Sequence, residues 1–297
     1  MFRKAIIATD LSAASDSVVQ KAKQLLALGT EEILLLQCIE PMEAFSVAYS
    51  ETDDKVKKLL QEQKGMLEGF GFKTTAEVVF GSITEEVNRI ASERGYSLIL
   101  IGSKGRSFLK DVLLGGVATR IIQNAEIPTL VLRLAPEGDK HEIVCLFPQD
   151  CEHINSRILF ATDFSHNAET AFGYVQTLVS MGTRNVDLIH VQDMIKLEKS
   201  SPSQIADFDA IDAKRLQELE SALVAVNPDC VVRSFILHGK PSVEILKTAL
   251  DVKPSLIVMG AQGRGFIREA VLGSVSYMVT LKAKAAVLII PETIRGL

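Results

Sequence analysis

An internal repeat is the feature that most constrains the fold of this chain. The segment AIIATDLS at Ala5–Ser12 returns as ILFATDFS at Ile158–Ser165, 153 positions later, and ILLLQCIE returns as VDLIHVQD at the same spacing. A glycine-rich loop that starts at Gly102 returns at Gly260, 158 positions later. Self-similarity at a fixed spacing indicates that one folding unit occurs twice. With 297 residues, the chain is long enough for both copies to be separate domains.

Each copy alternates short apolar runs, rich in β-branched residues, with longer amphipathic segments. Apolar strands that are separated by helices are typical of a parallel sheet covered on both faces. In the first copy the predicted strands are Ala5–Thr9, Ile33–Ile39, Ala76–Phe80, Leu98–Ile101 and Thr129–Leu132, and the predicted helices are Ser12–Leu28, Asp53–Glu68, Thr84–Glu93 and Val117–Asn124. The sequence therefore predicts an α/β fold with two doubly wound five-stranded parallel sheets in tandem, Rossmann-like, each with strand order 3-2-1-4-5.

Domain limits follow from the breaks in this pattern. We predict a first domain over 1–134, a linker over 135–156 and a second domain over 157–297. The linker contains a short extra strand candidate, Glu142–Phe147. The second copy has a net five extra residues between its second and third strands. We place this insertion in a polar loop near Ser200–Ser203.

Composition excludes several classes of protein. A formal net charge of −5 argues against nucleic-acid binding, because no basic excess exists to replace counterions. No apolar run is long enough to span a bilayer, and no signal-peptide core follows Met1. Four cysteines in 297 residues indicate free thiols in a reducing compartment. We therefore expect a cytoplasmic protein without membrane or nucleic-acid partners.

The two glycine-rich loops have the features of an anion site. Each follows an apolar strand and precedes a helix, whose free N–H groups and dipole favour negative charge. Glycines let the backbone approach a ligand closely and adopt positive φ. In a sheet of this order the first and fourth strands are neighbours, and ligands bind where the connections reverse between them. We expect Asp10 and Asp163, after the first strands, to converge with these loops on one crevice per copy.

The pattern of the loops excludes two familiar kinds of nucleotide site. Neither a P-loop nor a dinucleotide fingerprint is present. What remains is G-x-x-G, nine residues, then G-[S/T], from Gly260 to Ser274. With the A-T-D-x-S strand end, it resembles the ATP-binding branch of the universal stress protein (UspA-like) family. The resemblance covers nearly all of both halves, as in a tandem two-domain member, but Gly116 replaces the Ser/Thr in the first copy.

This resemblance implies that adenine nucleotide, ATP or AMP, binds with or without Mg²⁺. Adenine and ribose are expected near the first-strand Asp and the end of the second strand, and phosphates in the loop. The implied second site is Asp163, Val191, Gly260, Gly263, Gly273, Ser274 and Val275, and the first is Asp10, Cys38, Gly102, Gly105, Gly115, Gly116 and Val117. We add Arg264, which follows the second G-x-x-G as Arg106 follows the first; each either reaches phosphate or is a solvated surface residue.

Simpler roles stay open for several of these residues. Ser274 could serve only as a helix N-cap, for which Gly116 is an acceptable substitute. Asp10 and Asp163 could be turn residues that cap the next helix. His190, in an apolar strand, is expected to be a satisfied core histidine rather than a catalyst. The linker residues His141, Cys145, Cys151 and His153 match no common zinc spacing, so no metal site is predicted.

The leading hypothesis for function is adenine-nucleotide binding in stress response or signalling, through nucleotide-dependent conformation or association. One alternative is a scaffold of the same family that does not bind nucleotide. Another is a slow ATPase or nucleotidyl-transfer enzyme, which is less favoured because no general base can be named. The resemblance also implies pairing of the two copies through their fifth strands, Thr129–Leu132 and Ala286–Ile290, with a homodimer of chains as a further option.

Overall fold

The computed structural model describes residues 1–39, 51–103, 114–137, 142–146, 152–198, 200–263 and 272–292. The chain divides into two compact units, one within Met1–Leu146 and one within Phe147–Glu292. Each unit contains five parallel strands, and the predicted α/β class is confirmed. Within the ranges given above, no helix is both long enough and apolar enough to cross a bilayer.

The first unit follows the predicted alternation of strands and helices. Its strands are β1 (Lys4–Thr9), β2 (Glu32–Ile39), β3 (Lys73–Phe80), β4 (Leu98–Gly102) and β5 (Thr129–Leu132). Its helices are α1 (Ala13–Lys21), which continues as a 3-10 helix over Ala22–Leu28, then α2 (Glu51–Gly69), α3 (Ile83–Arg94) and α4 (Gly116–Asn124). The strand order is β3-β2-β1-β4-β5, which is the predicted 3-2-1-4-5.

A β-hairpin follows β5 within the first unit. Its strands β6 (Leu134–Glu137) and β7 (Glu142–Cys145) are antiparallel. The predicted extra strand is therefore present, although its partner β6 was not predicted. Ser103 Oγ accepts a hydrogen bond from Leu134 N (3.0 Å). The Cys145 thiol donates to the Ser17 carbonyl of α1 (3.3 Å), so the hairpin packs against the first unit.

The second unit repeats this arrangement. Its strands are β8 (Arg157–Thr162), β9 (Asn185–Asp193), β10 (Val231–Gly239), β11 (Leu256–Gly260) and β12 (Ala286–Ile290), in the order β10-β9-β8-β11-β12. Its helices are α5 (His166–Ser180), α6 (Met194–Leu197), α7 (Pro202–Val226), α8 (Pro241–Val252) and α9 (Ser274–Lys282). Every residue of β11 and β12 is buried, as expected of strands covered on both faces.

Helix α7 begins within the stretch where the insertion of the second copy is predicted. It has 25 residues, and α2 is described over 19 residues, from Glu51 onward. The predicted loop at Ser200–Ser203 is wrong in its second half, because helix α7 begins at Pro202. Ser201 and Gln204 form a capping box, and proline occupies the first helical turn. Both are signals of a helix start that the polar composition concealed.

Candidate functional site

The A-T-D-x-S motif of the second copy is a run of hydrogen bonds between side chains and backbone. Thr162 Oγ1 accepts from Phe164 N (3.0 Å), and Asp163 Oδ1 accepts from Ser165 N (3.0 Å). Ser165 is the N-cap of α5, and its Oγ accepts from Ala168 N (3.2 Å). Each side chain thus fixes the backbone two or three residues ahead. The motif holds the aspartate at the carboxyl end of β8.

The first copy makes the same turn. Thr9 Oγ1 accepts from Leu11 N (3.1 Å), Asp10 Oδ1 from Ser12 N (3.1 Å), and Ser12 Oγ from Ser15 N (3.3 Å). The Ser15 hydroxyl also donates to Asp10 Oδ1. The open interpretation that the aspartates are turn residues is therefore confirmed. Their proposed role as helix caps is wrong, because Ser12 caps α1 and Ser165 caps α5.

The residue after each aspartate has a left-handed backbone. Leu11 and Phe164 both have φ of 56°. This conformation is uncommon for residues other than glycine and costs on the order of 1–3 kcal/mol. It recurs at equivalent positions of both copies, where the surrounding hydrogen bonds enforce it. Such strain is concentrated at ligand sites and switch regions in proteins.

Backbone hydrogen bonds close the base of the second glycine loop. Ala261 N donates to Ile290 O (2.7 Å), and Gly273 N donates to Ala261 O (2.7 Å). The loop therefore leaves β11 and returns to the same point, where α9 begins. Because β11 pairs with β8, this point lies beside the carboxyl end of the strand that carries Asp163. The predicted adjacency of the first and fourth strands is confirmed.

The first copy closes its loop through the matching atoms. Ser103 N donates to Leu132 O (2.8 Å), and Gly115 N donates to Ser103 O (2.9 Å). Gly102 ends β4, which pairs with β1. Both copies therefore bring the first-strand turn and the base of the glycine loop together.

Close packing explains the glycines of the second loop. A Cβ atom at Gly263 would lie 2.5 Å from Asp163 Oδ2, and one at Gly260 would lie 2.5 Å from Asn167 Oδ1. A Cβ at Gly273 would lie 3.2 Å from Ala261 O. None of these three glycines has positive φ. The expectation of left-handed glycines is therefore wrong for them, and close approach is the physical reason for their presence.

The start of α9 shows whether Ser274 is the N-cap of this helix. Gly273 is the N-cap, with φ −64° and ψ 147°, and Ser274 is the first helical residue. Gly115 and Gly116 hold the same positions in α4, with φ −59° and ψ 147° at Gly115. The interpretation of Ser274 as the N-cap is wrong. Its side chain is exposed at the helix start, where backbone N–H groups favour an anion.

The other predicted residues occupy the ends of the second strands and the helix starts. Val191 is nearly buried in β9 and pairs in register with Leu237. Cys38 holds the matching position in β2, and its thiol donates to Gly81 O (3.0 Å). Val275 is half-buried in α9, whereas its counterpart Val117 is 45% exposed. Gly105, Arg106 and Arg264 lie outside the described residues.

Sequence reasoning missed Asn167, which lies two residues after the second motif. This side chain is 4% exposed. Its Oδ1 accepts from Gln262 N (2.9 Å), and its Nδ2 donates to Ile290 O (3.2 Å) and Pro291 O (3.0 Å). It thereby joins α5, the glycine loop and the end of β12. The available signal was an asparagine where the first copy has Ala14, which is buried.

His190 lies beneath the first-strand turn and is satisfied. Its Nδ1 is 2.8 Å from Thr162 O, and its Nε2 is 3.2 Å from Asp212 Oδ2 of α7. The Phe164 ring packs on the imidazole, with centroids 4.6 Å apart. The prediction of a core histidine is confirmed. The network connects α7 to the turn that carries Asp163.

The structure describes only part of the linker that carries the four His and Cys residues. Among the described residues, no group of three or more His, Cys, Asp and Glu is arranged to hold a metal ion. His141 and Cys151 lie outside those residues. Burial raises the pKa of the Cys145 thiol to about 12, so its thiolate is disfavoured.

Comparison with known proteins agrees with this architecture. The sequence model of the Universal stress protein family matches residues 1–133 and 155–291. A universal stress protein of Mycolicibacterium smegmatis is 25% identical over 301 residues, which cover 96% of each chain. Universal stress protein MJ0577 of Methanocaldococcus jannaschii is 30% identical over 155 residues, 45% of this chain and 96% of that protein. The crystal structure of a universal stress protein from Archaeoglobus fulgidus matches with a TM-score of 0.72 and 24% identity over 97% of this chain and 96% of that one. The chain belongs to the universal stress protein family and carries two of its domains in tandem.

Proposed function

We propose that each domain binds an adenine nucleotide at the crevice between its first and fourth strands, and that the protein acts in stress response or signalling through this binding. The observation that carries the proposal is the proximity of Asp163 to Gly263. A Cβ atom on Gly263 would be 2.5 Å from the Asp163 carboxylate. The carboxylate and the glycine loop therefore face one space at a sheet position where ligands bind.

The two sides of this space suit different parts of a nucleotide. A carboxylate repels phosphate and accepts hydrogen bonds from hydroxyl and amino groups. Asp163 is therefore suited to the ribose or the base. The start of α9 offers backbone N–H groups and the positive end of the helix dipole, which suit phosphate. ATP and AMP share these groups, so both are candidate ligands, with or without Mg²⁺.

Binding, rather than catalysis, is the activity that we propose. His190 is 5% exposed and both of its ring nitrogens have partners, so it cannot act as a general base in this arrangement. Signalling would then depend on changes in conformation or association. Pairing of the two domains through Thr129–Leu132 and Ala286–Ile290 stays a prediction, as does a homodimer of chains.

Ligand identification tests the proposal directly. The purified full chain is denatured, and the released small molecules are analysed by mass spectrometry. Calorimetric titration with ATP and AMP, each with and without Mg²⁺, follows. We expect binding that Asp163→Ala weakens, whereas Asp209→Ala, which removes an exposed carboxylate paired with His238 in the same unit, leaves it unchanged. Absence of released nucleotide together with absence of binding heat would favour the scaffold alternative.

A further inference from the structure

We infer that Asn167 and Ser276 are positioning residues that hold the second glycine loop in its ligand-binding shape; this inference rests on the proposed function. Neither side chain belongs to the set implied by the family motif. Both are buried, at 4% exposure each. Both bond to the backbone of the G-x-x-G segment, Ser276 at its first residue and Asn167 at its third.

Asn167 fixes the backbone between the two glycines of G-x-x-G. Its Oδ1 accepts from Gln262 N (2.9 Å), while its Nδ2 is held by the carbonyls of Ile290 (3.2 Å) and Pro291 (3.0 Å). Gln262 immediately precedes Gly263, which packs against Asp163. Asn167 therefore sets the distance between the loop and the aspartate from the side of the last strand.

Ser276 fixes the other end of the segment. Its Oγ donates to Gly260 O (2.8 Å), where β11 ends. Ser276 lies in the first turn of α9, two residues after Ser274. The bond thus sets where the helix start, with its N–H groups, stands relative to the strand. A donor array that is fixed before the ligand arrives loses less conformational entropy on binding.

The first copy lacks both anchors. Ala14 occupies the position of Asn167, and Ala118 occupies that of Ser276. Both alanines are buried, so the two copies differ in the buried side chains that pack beneath the loop and not in surface residues. The backbone hydrogen bonds that close the loop are alike in the two copies. In the first copy they join Ser103 to Leu132 and Gly115 to Ser103. We therefore expect the two sites to differ in the rigidity of their loops before ligand binds.

The test compares three alanine variants of the full chain. Asn167→Ala and Ser276→Ala remove the anchors. Ser255→Ala is the matched control, because Ser255 joins the opposite end of β11 to Arg157 through its Oγ (2.9 and 3.0 Å) and is fully buried. ATP affinity is measured by calorimetry, thermal stability by the unfolding midpoint, and loop opening by hydrogen exchange of the peptide over 256–263 in the ligand-free protein.

We expect each anchor variant to weaken ATP binding at the second-domain site about tenfold, because each loses the one hydrogen bond that holds the G-x-x-G backbone. Exchange over 256–263 should accelerate in both variants, whereas Ser255→Ala should lower the unfolding midpoint and leave affinity unchanged. The inference is overturned if the wild type binds ATP and both anchor variants bind it equally well. It is also overturned if Ser255→Ala weakens binding as much as Ser276→Ala does. A wild type that binds no nucleotide refutes the proposed function instead, and the exchange comparison still tests the anchoring.

Discussion

Asp163 and Gly263 are packed so closely that no side chain fits between them. A Cβ atom on Gly263 would be 2.5 Å from Asp163 Oδ2, a separation that requires one of the two residues to move. The contact joins the first-strand turn to the glycine loop, two segments that are 100 residues apart in sequence. The aspartate and the loop therefore behave as one structural unit.

Replacement of Gly263 by valine tests this relationship. We expect Gly263→Val to displace the Asp163 carboxylate and to weaken nucleotide binding more than tenfold, because the branched side chain would clash with this carboxylate. The fold should persist, since the loop lies at the carboxyl edge of the sheet. Calorimetric titration with ATP and circular dichroism measure the two effects.

A glycine of the same unit provides the control. Nothing lies within 4 Å of a Cβ atom at Gly173, in the middle of α5, so Gly173→Val should leave affinity unchanged. The double variant Asp163→Ala/Gly263→Val should recover part of any loss in the unfolding midpoint, because alanine removes the clashing oxygen. Full affinity in a folded Gly263→Val protein would exclude the loop from the site.

The sequence was sufficient to predict the fold because most strands are apolar runs and helical segments separate them. β5 has the predicted bounds, Thr129–Leu132, since four buried apolar or β-branched residues follow Pro128 and a break ends the run. The strand order followed from the parallel arrangement and the repeat. The start of α7 was missed because Ser200–Ser203 was interpreted by composition, whereas the pair Ser201 and Gln204 is a helix-start signal.

The candidate site could be predicted where the two copies agree or where the second copy matches the family motif. The aspartates and the glycines recur, and the structure places Gly263 against Asp163. Asn167 and Ser276 do not recur, since the first copy has Ala14 and Ala118, so comparison of the copies gave no reason to choose them. Their importance depends on three-dimensional neighbours, such as Pro291 beside Asn167, that are more than 120 residues away in sequence. No local pattern encodes such a contact.

The N-cap of α7 should contribute measurably to stability. Ser201 Oγ accepts from Gln204 N, and Gln204 Oε1 accepts from Ser201 N (2.8 Å). Ser201→Ala should reduce the free energy of unfolding by about 1 kcal/mol. Ser221→Ala, near the C-terminal end of the same helix, should be neutral or slightly stabilising, because alanine has the higher helix propensity. Urea unfolding of both variants makes the comparison, and equal midpoints would contradict the capping role.

Cys145 should react slowly with alkylating agents. Its half-buried thiol packs against α1, and desolvation there raises its pKa to about 12 from an ordinary value of 9.0. Only the thiolate reacts, so near pH 8 its reactive fraction should be about a thousandfold smaller than that of an ordinary thiol. The native rate should rise about tenfold per pH unit through pH 10, whereas the denatured protein should level off near pH 9.

The raised pKa of Cys145 also makes the free energy of unfolding depend on pH. Between the two pKa values the unfolded chain releases a proton that the folded chain retains, so rising pH favours unfolding.

Labelling with iodoacetamide at several pH values, followed by peptide mass spectrometry, measures the reaction at Cys145. A native rate that levels off near pH 9 would show that the thiol is not protected by the hairpin.

The last prediction is that one hydroxyl group contributes to a difference in affinity between the two nucleotide sites. Ser274 is exposed at the start of α9, and Gly116 holds the same position in α4. A hydrogen bond to a charged group contributes about 1.5–3 kcal/mol, which corresponds to roughly a ten- to hundredfold difference in affinity. Ser274→Ala should therefore weaken the tighter site alone. Because Gly273 is the N-cap, the unfolding midpoint should change little.

The reciprocal variant is structurally permitted, since nothing lies within 4 Å of a Cβ atom at Gly116 and its φ is not positive. Gly116→Ser should then strengthen the weaker site without loss of stability. Calorimetric titration of the wild type and both variants resolves the two affinities, and two equal sites that do not respond to Ser274→Ala would refute the prediction.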